Sequence, residues 1–163
     1  MENDVIITDR DREFIRMACE IANENIDRGG GPFGAVIVHN DEIVSTGANS
    51  VTLDNDPTAH AEVNAIRRAC ELKGNFKLDD CVVYSSCEPC PMCLSALYWA
   101  GVKRVYYANT KHEAACANFD DSFIYEEIEK PHLERSIPCV HVHDEHANDH
   151  FRKWMEKTDK TPY

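Results

Sequence analysis

The stretch CVVYSSCEPCPMCLSALYWAGVKRVYYA, residues 81–108, predicts a strand, a helix and a second strand in immediate succession. CVVY and VKRVYYA are rich in the β-branched and aromatic residues that favour strands. Between them, Pro91 suits the first position of a helix, because a backbone N–H has no partner there. Gly101 is a typical residue at the end of a helix. Cys90 and Cys93 are therefore expected at the start of this helix.

The rest of the chain alternates between helical and strand-like segments, which favours an α/β fold over an all-α or all-β fold. Thr8 is a suitable cap for a first helix. Asn40 and Asp41 are residue types that tolerate the tight turn between two strands. Helices are also predicted at residues 60–72, 122–128 and around 151–155, and further strands at 35–38, 43–46 and 137–142.

The composition is that of an ordinary globular protein. The 163 residues, 43% hydrophobic and 28% charged, suggest one domain spanning residues 1–163. The formal net charge of -12 repels phosphate backbones, so nucleic acid is not expected as a partner. No apolar run approaches the roughly 18 residues needed to span a membrane, and the polar, acidic N-terminus does not resemble a signal peptide. We therefore expect a cytoplasmic protein with no membrane partner.

Eight cysteines in a reducing compartment are not expected to form a disulfide framework. Five of them have apolar or helical neighbours and are predicted to be small buried residues: Cys19, Cys70, Cys81, Cys116 and Cys139. The other three fall within CEPCPMC, residues 87–93, which points to a use for thiols.

Cys90 and Cys93 are spaced to bind a metal ion. The unpaired N–H groups and the dipole of a helix N-terminus stabilise thiolates, which suit a soft or borderline cation. A CxxC pair alone also fits a redox pair or half of a structural zinc site. The histidines of HVHDEH, residues 141–146, could complete a structural site.

The better complement is TAHAEVNAI, in which His60 and Glu62 open a predicted helix. His60 would be the third protein ligand, and three protein ligands on zinc leave the open position of a catalytic site. Water bound by zinc has its pKa lowered to about 7. Glu62 would move protons without binding the metal. H-x-E followed by P-C-x-x-C is the signature of zinc-dependent nucleobase deaminases. Cys87 is not needed for this site and is predicted to be a packed or hydrogen-bonded thiol.

Five segments make the chain resemble the cytidine deaminase-like superfamily over nearly its whole length, and within it the bacterial guanine deaminases. They are GGPFGAVIV (30–38), NDPTAHAEVNAIR (55–67), SSCEPCPMC (85–93), LYWA (97–100) and FDDSFIYEEI (119–128). The resemblance implies a three-layer α/β/α sandwich around a central five-stranded mixed sheet. It also implies a homodimer in which the C-terminal segment, about residues 145–163, is swapped and helps to close the partner's site.

The resemblance further implies a set of substrate contacts. Asn49 would hydrogen-bond the purine ring, Asp121 would accept from its N–H groups, and the partner subunit's Tyr163 would cap the pocket. Phe33 and Trp99 would pack on the base, and the backbone N–H of Ala61 would face ring atoms. Ordinary structural roles remain open for these residues: a loop cap for Asn49, a helix cap for Asp121, core packing for the aromatic rings and a frayed end for the terminal tyrosine.

The implied reaction is zinc-dependent hydrolysis of guanine to xanthine and ammonia, with Glu62 as the proton carrier. The same chemistry on guanosine, cytosine or adenosine in tRNA is an alternative, although the charge of -12 disfavours tRNA. A zinc-binding protein without catalytic activity is an alternative of a different class. A purely structural site has no use for the carboxylate of Glu62, which favours an enzyme.

Overall fold

The computed structural model describes residues 5–163. The chain forms two compact units, the first ending at Ser122 and the second comprising Phe123–Tyr163. The first unit contains α1 (Asp9–Asp27), β1 (Gly34–His39), β2 (Glu42–Ala48), α2 (Val51–Asp54), α3 (Ala61–Lys73), β3 (Val82–Cys87), α4 (Pro91–Ala100), β4 (Arg104–Asn109) and α5 (Lys111–Cys116). Helix α6 (Ser122–Glu129) begins at Ser122, the last residue of the first unit. Helix α7 (Asp149–Glu156) lies in the second unit.

The sheet is mixed and has the strand order β2-β1-β3-β4. Strand β1 pairs antiparallel with both β2 and β3, whereas β4 pairs parallel with β3. The predicted hairpin is confirmed: Asn40 and Asp41 turn it with φ values of 49° and 63°. The predicted cap is also confirmed, because Thr8 and Asp11 form a capping box at the start of α1.

Helices cover both faces of the sheet in the first unit, because successive residues of a strand point to opposite faces. Val36 and Val38 of β1 pack with Phe14 and Ala18 of α1. The intervening Ala35 and Ile37 belong to a second cluster, which holds residues of α3 and α4. The small residues of α3 in that cluster, Ala61, Ala65 and Ala69, let this helix lie close to the sheet.

The sheet of the described residues has four strands, not the five that were expected. Residues 137–142 form no strand, and Ile137, Val140 and Val142 are exposed. Pro138 lies within this segment and cannot donate to a strand ladder, which explains the difference. Among residues 5–163, none of the helices has the length and apolar character needed to span a bilayer.

The prediction that five cysteines are buried is wrong for two of them. Cys81 is buried and Cys19 and Cys70 are half-buried, whereas Cys116 and Cys139 are exposed. Cys116 is the last residue of α5, a short helix with no buried residue. Apolar neighbours in sequence therefore did not indicate burial where the local element has no core-facing side.

The start of α3 lies directly on β2 at Gly47. A Cβ atom at this position would lie 2.1 Å from the carbonyl oxygen of Ala61 and 2.6 Å from the backbone nitrogen of Ala65. Because both are backbone atoms, the helix would have to move. We expect Gly47→Ala to lower the free energy of unfolding by more than about 3 kcal/mol, the upper end of overpacking costs, measured by chemical denaturation.

Gly74→Ala is the matched control for this substitution. Gly74 ends α3 at φ +59°. Leaving out the two neighbouring residues of the chain, no atom lies within 4 Å of a Cβ atom placed there. Its cost is the backbone preference alone, about 1 kcal/mol. A Gly47→Ala protein as stable as Gly74→Ala would contradict the close approach of β2 and α3.

Asp80 joins the end of α3 to the start of β3. Its carboxylate accepts a hydrogen bond from Lys73 Nζ at 2.8 Å. This bond, with one from the Cys81 thiol, lowers the pKa of Asp80 from 3.8 to about 2. A carboxyl whose pKa is lowered by folding stabilises the folded state above its unfolded pKa, and the contribution is lost as pH falls through the folded pKa.

We therefore expect Asp80→Asn to be less stable than the wild type at pH 7, with the difference disappearing between about pH 4 and about pH 2. Urea denaturation at a series of pH values measures this difference. Asp79→Asn, at the exposed neighbouring position, is the control and should show little change. An Asp80→Asn deficit that persists unchanged at pH 2 would mean that the carboxylate charge is not its cause.

Candidate active site

Two helix N-termini bring three metal-binding side chains together. His60 is the N-cap of α3, and Cys90 is the N-cap of α4, which begins at Pro91 as predicted. Nδ1 of His60 lies 3.6 Å from Sγ of Cys90 and 3.5 Å from Sγ of Cys93. One ligand atom from each of the three residues lies within 4.8 Å of the others. The residues thus face one common point.

The chemistry of these side chains fits zinc. The pKa of Cys90 is lowered to about 4, first by a hydrogen bond with Cys93 and then by His60. The same bond, together with burial, raises the pKa of Cys93. A thiolate at a helix N-terminus beside an imidazole nitrogen and a second sulfur is a typical zinc ligand set. His60, Cys90 and Cys93 therefore form a possible zinc site, and three ligands leave room for a reactant.

Glu62 lies beside this cluster in the first turn of α3 and is buried, with 6% of its surface exposed. Burial raises the pKa of its carboxyl, and the nearby charge of Cys90 acts in the same direction. Ser85 Oγ donates a hydrogen bond to Glu62 Oε1 at 2.8 Å. A buried carboxyl whose proton affinity is raised is suited to accepting and returning a proton.

The sequence analysis did not identify Ser85. The available signal was the period of two in a strand, which places Ser85 and Cys87 of β3 on the same face. Cys87 is buried, and its thiol donates to the carbonyl of Thr110 at 3.9 Å. Burial first, then the charge of Glu62, raises the pKa of Cys87 to about 11. The prediction that Cys87 is a packed or hydrogen-bonded thiol is confirmed, and Cys87 is not in the group His60, Cys90 and Cys93 that could hold a metal ion.

Asn49 and Phe33 are joined through their backbones, since Asn49 N–H donates to the Phe33 carbonyl at 3.1 Å. Asn49 is buried, and its Oδ1 accepts a hydrogen bond from the N–H of Val51 at 3.2 Å. The side chain therefore caps the loop in which it lies, which is the structural role that the sequence left open for it. Phe33 packs edge-on against Phe119 at 4.9 Å between ring centroids. Ala61, the first residue of α3, has a fully buried side chain.

Asp121 is half-buried, and burial followed by the charge of Cys90 raises its pKa. The N–H of Ser122, at the start of α6, donates to Asp120 Oδ1 at 2.9 Å. Asp120 thus accepts from the first residue of the helix, which weakens the alternative that Asp121 serves as its cap.

Two of the residues predicted to contact the substrate have exposed side chains. Trp99 is 67% exposed near the end of α4, where its carbonyl accepts from Lys77 Nζ at 3.2 Å. Tyr163 is 78% exposed in the second unit. Contact of either residue with a substrate stays a prediction.

Comparison with known proteins agrees with this geometry. The family model of the cytidine and deoxycytidylate deaminase zinc-binding region matches residues 8–109. The chain is 53% identical over 152 residues to the guanine deaminase of Bacillus subtilis, covering 92% of this chain and 97% of that protein. It is 31% identical over 146 residues to the tRNA-specific adenosine deaminase of Aquifex aeolicus, covering 88% and 93%.

Solved structures extend the comparison to the fold. The X-ray structure of Bacillus subtilis guanine deaminase superposes with a TM-score of 0.92 at 52% identity, covering 93% of this chain and 98% of that one. The guanine deaminase of Nitrosomonas europaea gives 0.65 at 27% identity, covering 72% and 67%. The family model matches more than half of the chain, and His60, Cys90 and Cys93 form a possible zinc site beside a buried glutamate, so the chain belongs to the cytidine and deoxycytidylate deaminase family.

Proposed function

We propose that this protein catalyses the hydrolytic deamination of guanine to xanthine and ammonia. The buried Glu62 beside the cluster of His60, Cys90 and Cys93 supports the reaction type. The observation that carries the choice of guanine is the 53% identity to the Bacillus subtilis guanine deaminase across nearly both chains. The tRNA-specific relatives are less similar, at 31% for that of Aquifex aeolicus, and the charge of -12 is unfavourable for tRNA.

Glu62 is the proton carrier of this reaction. Zinc, when held by the three ligands, supplies a water molecule whose pKa is lowered to about 7. Glu62 takes a proton from the water that attacks C2 of guanine and passes it to ring N3. It then takes the remaining proton from the new hydroxyl group on C2 and delivers it to the exocyclic nitrogen, which leaves as ammonia. A bond forms between C2 and the water oxygen, and the bond between C2 and the exocyclic nitrogen breaks, so that water and guanine yield xanthine and ammonia.

Side chains around the cluster would orient the base. Because Asn49 Oδ1 is used by Val51, its Nδ2 is the end of the amide that can donate to the purine ring. Phe33 would pack against the base, and the N–H of Ala61 at the start of α3 would face a ring acceptor. Trp99 would add apolar surface at the edge of the pocket.

Asp121 would determine the preference for guanine, which presents N–H donors where adenine does not. We expect Asp121→Asn to lower kcat/KM for guanine by about 10–100-fold, because a charge-assisted hydrogen bond is lost. Steady-state ammonia release measures it. Asp120→Asn is the matched control, since Asp120 accepts from the Ser122 N–H and is exposed. An equal loss in both variants would assign the effect to the loop that carries them.

We further propose a homodimer in which residues of about 145–163 close the partner's site. None of residues 123–163 is buried, and the apolar side chains Phe151, Trp154 and Met155 of α7 are 63%, 38% and 71% exposed. Apolar surface of this kind is typical of an interface. Light scattering should give twice the mass of the 18.5 kDa chain. A monomer with full activity would contradict the proposal.

Mixing two variants tests whether Tyr163 acts on the other subunit. Glu62→Gln and Tyr163→Ala, unfolded and refolded together, should form dimers with one intact site among the mixed pairs. About a quarter of the wild-type activity should then return if the two residues belong to different chains of each site. No recovery would place Tyr163 and Glu62 of one site on the same chain.

Ammonia release from guanine, guanosine, cytosine and adenine, each assayed separately with zinc-loaded protein, tests the proposed function. We expect turnover of guanine alone. Turnover of guanosine or cytosine instead would keep the chemistry and overturn the substrate. Zinc at one per chain with no turnover of any base would favour a non-catalytic zinc-binding protein. A cytoplasmic location stays a prediction.

A further inference from the structure

We infer that Ser85 is a positioning residue that holds the carboxylate of Glu62 in the orientation needed for proton transfer. This inference rests on the proposed deamination. Ser85 Oγ donates to Glu62 Oε1 at 2.8 Å, and the two residues are only 1% and 6% exposed. The bond joins β3 to the first turn of α3, over 23 residues of sequence.

The position of the Ser85 hydroxyl is fixed by the backbone of β3. β3 is an inner strand of the sheet, and Ser85 pairs with Ala35 of β1 on one side and with Tyr107 of β4 on the other. The next residue, Ser86, points to the opposite face of the sheet, and its Oγ accepts a hydrogen bond from the N–H of Gly34 at 3.0 Å. This bond further fixes the backbone of β3 beside Ser85. A serine hydroxyl depends on one side-chain torsion, so a fixed backbone leaves it little freedom.

The side chain of Glu62 has more conformational freedom than that of Ser85. Its carboxylate follows three side-chain torsions, and the last of these is broad. A hydrogen bond to Oε1 fixes the plane of the carboxylate and therefore the direction of Oε2. Proton transfer to and from a substrate is sensitive to displacements of about 1 Å. Removing the hydroxyl should therefore slow the chemical steps more than it weakens the binding of the base.

A buried serine can also serve packing and hydrogen bonding alone. Ser45 of β2 is such a residue: it is 6% exposed, and its Oγ donates to the carbonyl of Ala65 at 2.7 Å. It belongs to the same sheet and also bonds to α3, but its acceptor is a main-chain carbonyl within the helix. Ser45→Ala is therefore the control that matches Ser85→Ala in burial, size and helix contacted.

The experiment measures kcat and KM for guanine, zinc content and thermal unfolding for both variants. We expect Ser85→Ala to lower kcat by about 10–100-fold, the usual effect of removing a group that orients a reacting one, with wild-type zinc content and little change in KM. Ser45→Ala should keep the wild-type kcat. Ser85→Thr retains the hydroxyl and should recover part of the lost kcat. In the background of Glu62→Gln, Ser85→Ala should cost little further activity, since the two residues act as a unit.

Three results would overturn the inference. They are a wild-type kcat in Ser85→Ala, an equal loss of kcat in Ser45→Ala, and an undiminished loss when Ser85→Ala is added to Glu62→Gln. The wild type separates this inference from the proposed function. If the wild type turns over guanine and Ser85→Ala does so equally well, only the inference fails. If the wild type releases no ammonia from any base, both fail.

Discussion

Glu62→Gln is expected to lower ammonia release from guanine by about 10²–10⁴-fold, the range of effects that general acid–base catalysis produces. Glutamine keeps the shape of glutamate and can still accept a hydrogen bond from Ser85, but it cannot carry a proton. Because Glu62 is no member of the cluster of His60, Cys90 and Cys93, zinc content should stay at the wild-type value. Loss of turnover with zinc retained is the combination that separates a proton carrier from a metal ligand.

Glu71→Gln controls for the loss of a negative charge from α3. Glu71 lies on the same helix and is exposed. We expect it to leave kcat unchanged, since an exposed carboxylate two turns away has no hydrogen-bond access to the cluster. A Glu62→Gln enzyme that retains wild-type kcat would require a different proton carrier, and zinc loss in this variant would show that the carboxylate contributes to metal binding.

The grouping of His60, Cys90 and Cys93 could be predicted from sequence because its determinants are local. Pro91 at the first position of a helix and the i, i+3 spacing of two thiols fix both sulfurs at one helix N-terminus. His60 occupies the corresponding position of α3, where the acidic residue of the first turn is Glu62. The structure shows that the N-termini of α3 and α4 lie close together, with His60 Nδ1 near the sulfurs of Cys90 and Cys93, although these residues are 30 or more positions apart in sequence.

Other features depended on contacts that a single sequence does not encode. The period of two in β3 indicates only which face Ser85 lies on, whereas its bond to Glu62 requires the register of β3 against α3. The resemblance implied five strands, and residues 137–142 were predicted to form the fifth, but Pro138 interrupts the donors that a ladder would need. The short helices α2 and α5 were not predicted, because four and six residues are too few for a helical period to be visible.

Cys93→Ser is expected to abolish zinc binding and, with it, deaminase activity. Cys93 is fully buried and its sulfur lies 3.5 Å from His60 Nδ1. A serine hydroxyl in its place is not ionised at neutral pH, so the site would lose a thiolate ligand that zinc prefers. Metal analysis after dialysis should fall from about one zinc per chain to near zero, and added zinc should not restore turnover.

Cys87→Ser is the control that tests which sulfurs bind the metal. Cys87 lies three residues before Cys90 and is also buried, but its thiol donates to the carbonyl of Thr110. A serine hydroxyl can make that same bond, so zinc content and kcat should stay close to wild type. If Cys87→Ser lost zinc as completely as Cys93→Ser, the ligand set would have to include Cys87. The motif H-x-E with P-C-x-x-C would then describe this site incompletely, since three protein ligands and one open position are what allow a zinc ion to take part in hydrolysis.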